Sequence, residues 1–279
     1  MEIPNQPIVQ FKDVSISFGD QNVLRGLSFD IMKGEIFIII GYSGSGKSVT
    51  LQNLVGLLTP DSGSIKVSGD QVVGMDEREL QIVRRKFGFL FQSGALINWL
   101  TVAENVDLPL REHTTLRPER RAEIVQEKLK LVSMVEAADK YPTDISGGMK
   151  KRASMARAIA LDPEILLFDE PTSGLDPVMA REIDEMTKRI NDELGITSVV
   201  VTHDMDSVYG IADRVGFFLN GKMHFVGTPD ELKATKDKEC QRFITGGANI
   251  HETVVSKRTE MIEGMRAEMI KEAMKKKEE

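Results

Sequence analysis

A lysine and a serine behind a glycine-rich turn are the residues best placed to hold a polyphosphate. In Gly41-Tyr42-Ser43-Gly44-Ser45-Gly46-Lys47-Ser48 the spacing fits G-x-x-x-x-G-K-[ST]. In that pattern the backbone N–H groups turn inward around an anion. Glycine permits the close wrapping. Lys47 can reach the β- and γ-phosphates, and the Ser48 hydroxyl can ligate Mg²⁺. Val49 closes the phosphate-binding stretch. A helix starting at Lys47 would add the positive end of its dipole. The stretch predicts binding of a nucleoside triphosphate.

Asp169 and Glu170 stand at the end of the apolar run Ile165-Leu166-Leu167-Phe168. Asp169 can hold the Mg²⁺ shell, and Glu170 can polarise an attacking water. Ile145-Ser146-Gly147-Gly148-Met149-Lys150-Lys151-Arg152 is the third such stretch. Ser146 suits a helix N-cap, and Gly147 and Gly148 open backbone N–H groups at the helix's positive end.

These groups need strands and helices in alternation to hold them. The phosphate loop follows the apolar run Glu35-Ile36-Phe37-Ile38-Ile39-Ile40 and precedes the helix-compatible Val49–Val55. Residues 8–18 alternate apolar and polar as a half-buried strand does, and Val23 to Ile31 reads as its antiparallel partner. Short strands are expected at 64–67, 87–91, 196–201, 214–219 and 222–226. Helices are expected at 76–85, Pro118–Leu131, Ser146–Ala160 and Pro177–Leu194. From 101 to 161 there is almost no strand signal, so a helical subdomain is expected within an α/β fold with a mostly parallel sheet.

Composition narrows the class. A chain of 279 residues, 41% hydrophobic and 28% charged, is ordinary for a soluble globular protein. A net charge of −7 offers no basic excess, so nucleic acid is not an expected partner. Its apolar runs are far shorter than the ~20 residues of a membrane span. Met1-Glu2-Ile3-Pro4 lacks the marks of a signal peptide. Cys240 is the single cysteine, which suits a reducing cytosol.

On these motifs the chain resembles the ATP-binding cassette (ABC) ATPases over roughly residues 7–235. The resemblance implies a P-loop NTPase fold with an N-terminal antiparallel β-subdomain and an inserted α-helical subdomain. It makes Gly41–Ser48 the Walker A motif and Ile165–Glu170 Walker B, with Glu170 the catalytic base. Ser146, Gly147, Gly148 and Met149 resemble the signature that touches the nucleotide held by the partner subunit. Gln92 resembles the Q-loop glutamine, a Mg²⁺ and water contact. Asp176, in Ser173-Gly174-Leu175-Asp176, matches the D-loop. His203 matches the switch histidine, and Phe18 falls where the family stacks an aromatic ring on adenine. Ile145 and Met149 depart from the family's usual leucine and glutamine. One motif set per chain implies a homodimer that sandwiches ATP between its subunits.

A finer resemblance is to the MCE/Mla-type lipid-transport ATPases. It rests on Phe91-Gln92-Ser93-Gly94-Ala95-Leu96, Leu100–Val106, Leu108–Thr114, Ser146–Arg152 and Ala158–Glu164. Met149 is normal in that subfamily, whereas Asn98-Trp99 departs from its usual pair. The resemblance implies a peripheral subunit on the cytoplasmic face of the inner membrane. It would power phospholipid traffic with an integral permease and, through it, an MCE-type lipid-binding protein. An importer subunit for amino acids or another small solute is the alternative. An exposed Trp99 would suit a permease anchor; a ring packed into the helical subdomain would not. The cassette is expected over 1–245, with an extension over 246–279. Thr245-Gly246-Gly247-Ala248-Asn249 suits a hinge. Beyond it Val255, Ile262, Met265 and Met269 suit one face of a helix that clasps the other subunit.

Overall fold

The computed structural model describes residues 7–91 and 94–246. Gln92 and the expected C-terminal helix lie outside the described residues.

Two strands are buried at every position: β3 (Ile36–Gly41) and β8 (Thr197–Val201). Continuous burial requires cover on both faces, as in a parallel sheet between helices. They belong to a six-stranded sheet of order β10-β9-β3-β8-β7-β6. Its other strands are β6 (Phe87–Leu90), β7 (Ile165–Asp169), β9 (Arg214–Leu219) and β10 (Lys222–Gly227). All pairs are parallel except β10 with β9.

The second sheet is antiparallel, of order β2-β1-β4-β5. It comprises β1 (Pro7–Phe18), β2 (Gln21–Met32), β4 (Ser62–Val67) and the two-residue β5 (Asp70–Gln71). The two sheets meet through stacked rings. Phe11 lies on Phe29 with centroids 4.7 Å apart, and Phe29 on Phe37 of β3 at 5.8 Å. Such pairs contribute about 0.5–1.5 kcal/mol beyond their burial.

The helices that matter for the site are α1 (Lys47–Leu54), α2 (Glu77–Arg84), α3 (Val102–His113), α4 (Pro118–Leu131), α5 (Gly147–Ala158), α6 (Pro177–Leu194) and α7 (Met205–Ile211). α4 and α6 have the limits their sequences predict. α5 stops at Ala158, short of the expected Ala160; the Ala160 N–H donates to Arg157 O (3.2 Å), three residues back rather than four.

The segment from α3 to α5 is inserted between β6 and β7 as a helical block. Thr101 and Glu104 form a reciprocal capping box that starts α3. Fully buried Asn105 straps the preceding turn in place. Its Nδ2 donates to Ile97 O (3.1 Å), Leu100 O (3.1 Å) and Thr101 O (2.9 Å), while its Oδ1 accepts from Ile97 N–H (2.8 Å). On that turn Trp99 is 79% exposed, so the ring is not packed into the helical block. Where α5 crosses β6, Gly88 is required. A Cβ there would lie 2.2 Å from the Ala158 carbonyl oxygen.

Compact contacts define one unit through Leu232 and a second from Lys233. α8 (Pro229–Ala234) spans that boundary. In the second unit, Asp237 caps α9 (Lys238–Ile244), accepting from Glu239 N–H (3.0 Å) and Cys240 N–H (2.9 Å). Cys240 is buried, and burial, followed by the hydrogen bond its thiol donates to the Asp237 carboxylate, pushes the thiol up to about 12.

Candidate nucleotide site

The phosphate loop spans the gap between β3 and α1, both of which it needs. Gly46 caps α1 at φ 114, a left-handed conformation that a side chain rarely adopts. A Cβ there would also press on Val23 (3.1 Å), Leu24 (3.3 Å) and Phe218 (3.3 Å). The first two belong to β2, so the β1–β2 hairpin abuts the loop. Phe18 pairs with Gln21 at the tip of that hairpin and is 48% exposed.

Lys47 is buried. Its Nζ donates to Gly41 O (2.7 Å) and Tyr42 O (3.0 Å), carbonyls of its own loop. Burial lowers the Lys47 pKa, against the pull of Glu170 and Asp169, which favour the charged form. Asp169 ends β7. Burial and then the neighbouring Glu170 raise its pKa, while Lys47 and a hydrogen bond from the Ser48 hydroxyl lower it. Cation, acids and hydroxyl thus share one electrostatic site.

Glu170 has a positive φ of 50, in the left-handed region, which costs a non-glycine residue about 1–2 kcal/mol. Its backbone is pinned on both sides: the N–H donates to Val201 O (2.9 Å), and the carbonyl accepts from Ser173 N–H (3.2 Å). The side chain meets His203, whose Nδ1 lies 3.0 Å from Oε1 and 2.9 Å from Oε2. β8 ends at Val201, so its end and the end of β7 bring the acid and the imidazole together.

The Ser146 segment lies elsewhere. Ser146 Oγ accepts from Met149 N–H (3.3 Å) and caps α5, and the Met179 side chain of α6 lies against Gly148. Asp176 caps α6, accepting from Val178 N–H (3.0 Å) and Met179 N–H (3.1 Å). Neither contact is with the phosphate loop.

The structure adds residues that motif reading passes over. Lys151 is buried in α5, and burial lowers its pKa against the pull of Glu170. Ser154 and Arg157 clamp the chain just after Gln92. Ser154 Oγ lies between two acceptors for its one proton, Lys150 O (2.7 Å) and Gly94 O (2.8 Å), and Arg157 donates to Ala95 O (2.7 Å) and Gly94 O (3.1 Å). Their i, i+3 spacing on one helix face was a signal, though it named no target. Beside the clamp, Arg84, Phe89, Phe91, Leu108, Pro109 and Arg157 line a groove of about 630 Å³. The Phe89 and Phe91 rings stack in it at 4.1 Å.

A phosphate loop on an inner strand, with an acid pair and a histidine from neighbouring strand ends, defines a P-loop nucleotide hydrolase. Comparison with known proteins narrows the class. The family described as ABC transporter matches residues 24–173. The intermembrane phospholipid transport system ATP-binding protein MlaF of Haemophilus influenzae is 39% identical over 242 residues, 87% of this chain and 92% of that one. The probable ribonucleotide transport ATP-binding protein mkl of Mycobacterium leprae is 38% identical over 248 residues, 89% of this chain and 71% of that one. Among solved structures, the dimeric ATP-binding cassette MJ0796, in a post-hydrolysis state with ADP and Pi, has a TM-score of 0.72 at 33% identity. That match covers 79% of this chain and 98% of the other. The chain belongs to the ABC transporter family.

Proposed function

We propose that the protein is the ATP-hydrolysing subunit of a membrane transporter that moves phospholipid. The observation that carries the hydrolytic part is the Glu170–His203 contact beside Lys47 and Asp169. Glu170 is the general base for the attacking water, and His203 holds its carboxylate in place. Lys47 and the loop N–H groups of residues 43–48 bind the β- and γ-phosphates, while Phe18 stacks on the base.

Ser48 and Asp169 suit Mg²⁺. Their oxygens are hard ligands, and they already hydrogen-bond to each other. When bound, Mg²⁺ offsets charge on the β- and γ-oxygens. Gln92 is assigned to the same shell.

The signature segment Ser146–Met149 serves a second copy. The dimeric form of the cassette with a TM-score of 0.72 supports a homodimer with ATP between the subunits. The groove beside Arg157, with exposed Trp99 on the neighbouring turn, receives an integral permease. Among the described residues no helix is long and apolar enough to cross a membrane. The subunit is placed on the inner membrane's cytoplasmic face through that permease, and beyond it an MCE-type protein.

Phospholipid is favoured as cargo by the 39% relative that covers nearly the whole of both chains. A small polar solute is the second reading, favoured by relatives named for ribonucleotide transport. The test is to isolate the membrane complex through a tag on this chain and identify its subunits and bound small molecules by mass spectrometry. Phospholipid with an MCE-type subunit is the expected result. A solute-binding protein without enriched lipid would overturn the assignment.

A further inference from the structure

His203 is 70% exposed at its side chain, so packing around the ring does not fix it. Its position must come from the backbone on either side. On one side Thr202 is buried and its N–H donates to Ile39 O (3.2 Å) of β3. On the other side Asp204 caps α7: its Oδ1 accepts from Asp206 N–H (2.9 Å), and its own N–H donates to Thr202 Oγ1 (3.0 Å). A buried hydroxyl ties this cap to α6 as well. Ser207 Oγ lies 2.8 Å from Asp184 Oδ2 in α6 and 3.3 Å from Asp204 Oδ2.

We propose that Asp184 is a positioning residue for hydrolysis: through Ser207 it locks the Asp204 cap, and hence His203, in register with α6. The proposal rests on the role assigned above to His203 and Glu170. α6 is the helix that Asp176 starts, so the bridge joins the D-loop helix to the switch segment. No motif marks Asp184 or Ser207.

The chemistry of the bridge is proton-sensitive. A serine hydroxyl has one proton to donate. With both acids ionised, Ser207 can serve one carboxylate fully and the other poorly. With Asp184 protonated, Asp184 donates to Ser207 Oγ and Ser207 donates to Asp204, so both links are complete. The surroundings favour that proton. Asp184 is buried, and the charged groups facing it from α7 are the acids Asp204 and Asp206. The residues of β8, Thr197–Val201, carry no charge, and Arg152 of α5 pairs with Glu182 instead. Burial, with those acids, raises the Asp184 pKa to about 6 against the hydrogen bond from Ser207.

The test uses the purified full-length chain and steady-state ATP hydrolysis. Ser207→Ala should lower kcat about threefold to tenfold, the scale of one hydrogen bond, with KM for ATP nearly unchanged. Placed on His203→Ala, the same substitution should add nothing, because coupled residues fail to add. Asp184→Asn is isosteric and keeps a donor to Ser207 at every pH. Its kcat, as a ratio to wild type, should be near one at pH 5.5 and rise about twofold or more by pH 8; the ratio cancels the ionisation of ATP itself. Equal effects of Ser207→Ala with and without His203, or a ratio for Asp184→Asn that is flat with pH, would overturn the bridge. Unchanged turnover in His203→Ala alone would instead overturn the hydrolytic reading beneath it.

Discussion

At the residue scale, the chemistry converges on Glu170, whose backbone is held in a left-handed conformation and whose carboxylate meets His203. Glu170→Gln keeps the shape and removes the base, so turnover should fall by about 10²–10⁴ while ATP still binds. Single-turnover hydrolysis beside an ATP-binding titration checks this, and near-normal turnover would reject the assignment. Phe18 offers a ring face and no donor or acceptor, so it cannot read a base edge. Competition between ATP and GTP should show less than about a hundredfold preference, which is roughly 2.7 kcal/mol at ~1.4 kcal/mol per decade. The loop and the acid pair were legible because their spacing encodes backbone geometry. Lys151, Asp184 and Arg157 were not, since each matters through a contact made across elements, and local pattern does not encode those.

At the element scale, α6 and α7 show what the sequence conveys and what it hides. The limits of α6 follow from Asp176, Pro177 and the left-handed Gly195 at its end. The seven-residue α7 is too short to establish periodicity against its flanking loops. Likewise β5 is only a two-residue pairing with β4 and has no pattern of its own. The join between α6 and α7 carries a stability prediction. Asp184 has a folded pKa raised from 3.8 to about 6. Folding therefore favours its protonated form, a stabilisation fully present below pH 3.8 and lost as pH rises through about 6. Asp184→Asn removes the buried charge and should be more stable than wild type at pH 8 by about 1–3 kcal/mol. Thermal melts should show that gap roughly halved at pH 5. A gap that grows as pH falls would contradict the burial argument.

At the scale of the whole molecule, the alternation of strand and helix, the antiparallel sheet and the inserted helical block all follow from sequence periodicity. The strand order does not, because hydrophobic pattern marks a strand as buried without naming its neighbours. The exposure of Trp99 is likewise beyond local pattern, because it depends on the bonds by which Asn105 straps residues 97–101. As an interfacial anchor it should act as a hot spot. Trp99→Ala should weaken capture of the purified permease about 30-fold, or ~2 kcal/mol, with the ATPase rate of the isolated chain unchanged. Equal capture would remove Trp99 from the interface. The sheet order has a wider consequence. The helical block hangs from β6 at the sheet's edge, whereas the phosphate loop grows from β3, with β8 and β7 between. A push at the groove reaches α5 through Arg157 and through the Ala158 carbonyl over Gly88, and it reaches the end of α1 through Arg84, which donates to Val55 O and Gly56 O. α5 begins with the segment that, in the proposed dimer, faces the other subunit's nucleotide. In that dimer the groove has two links: through α5 to the far nucleotide, and through Arg84 and α1 to its own. In a mixed dimer where Arg157→Ala cuts only the α5 link of one groove, hydrolysis should fall first at the phosphate loop of the intact subunit.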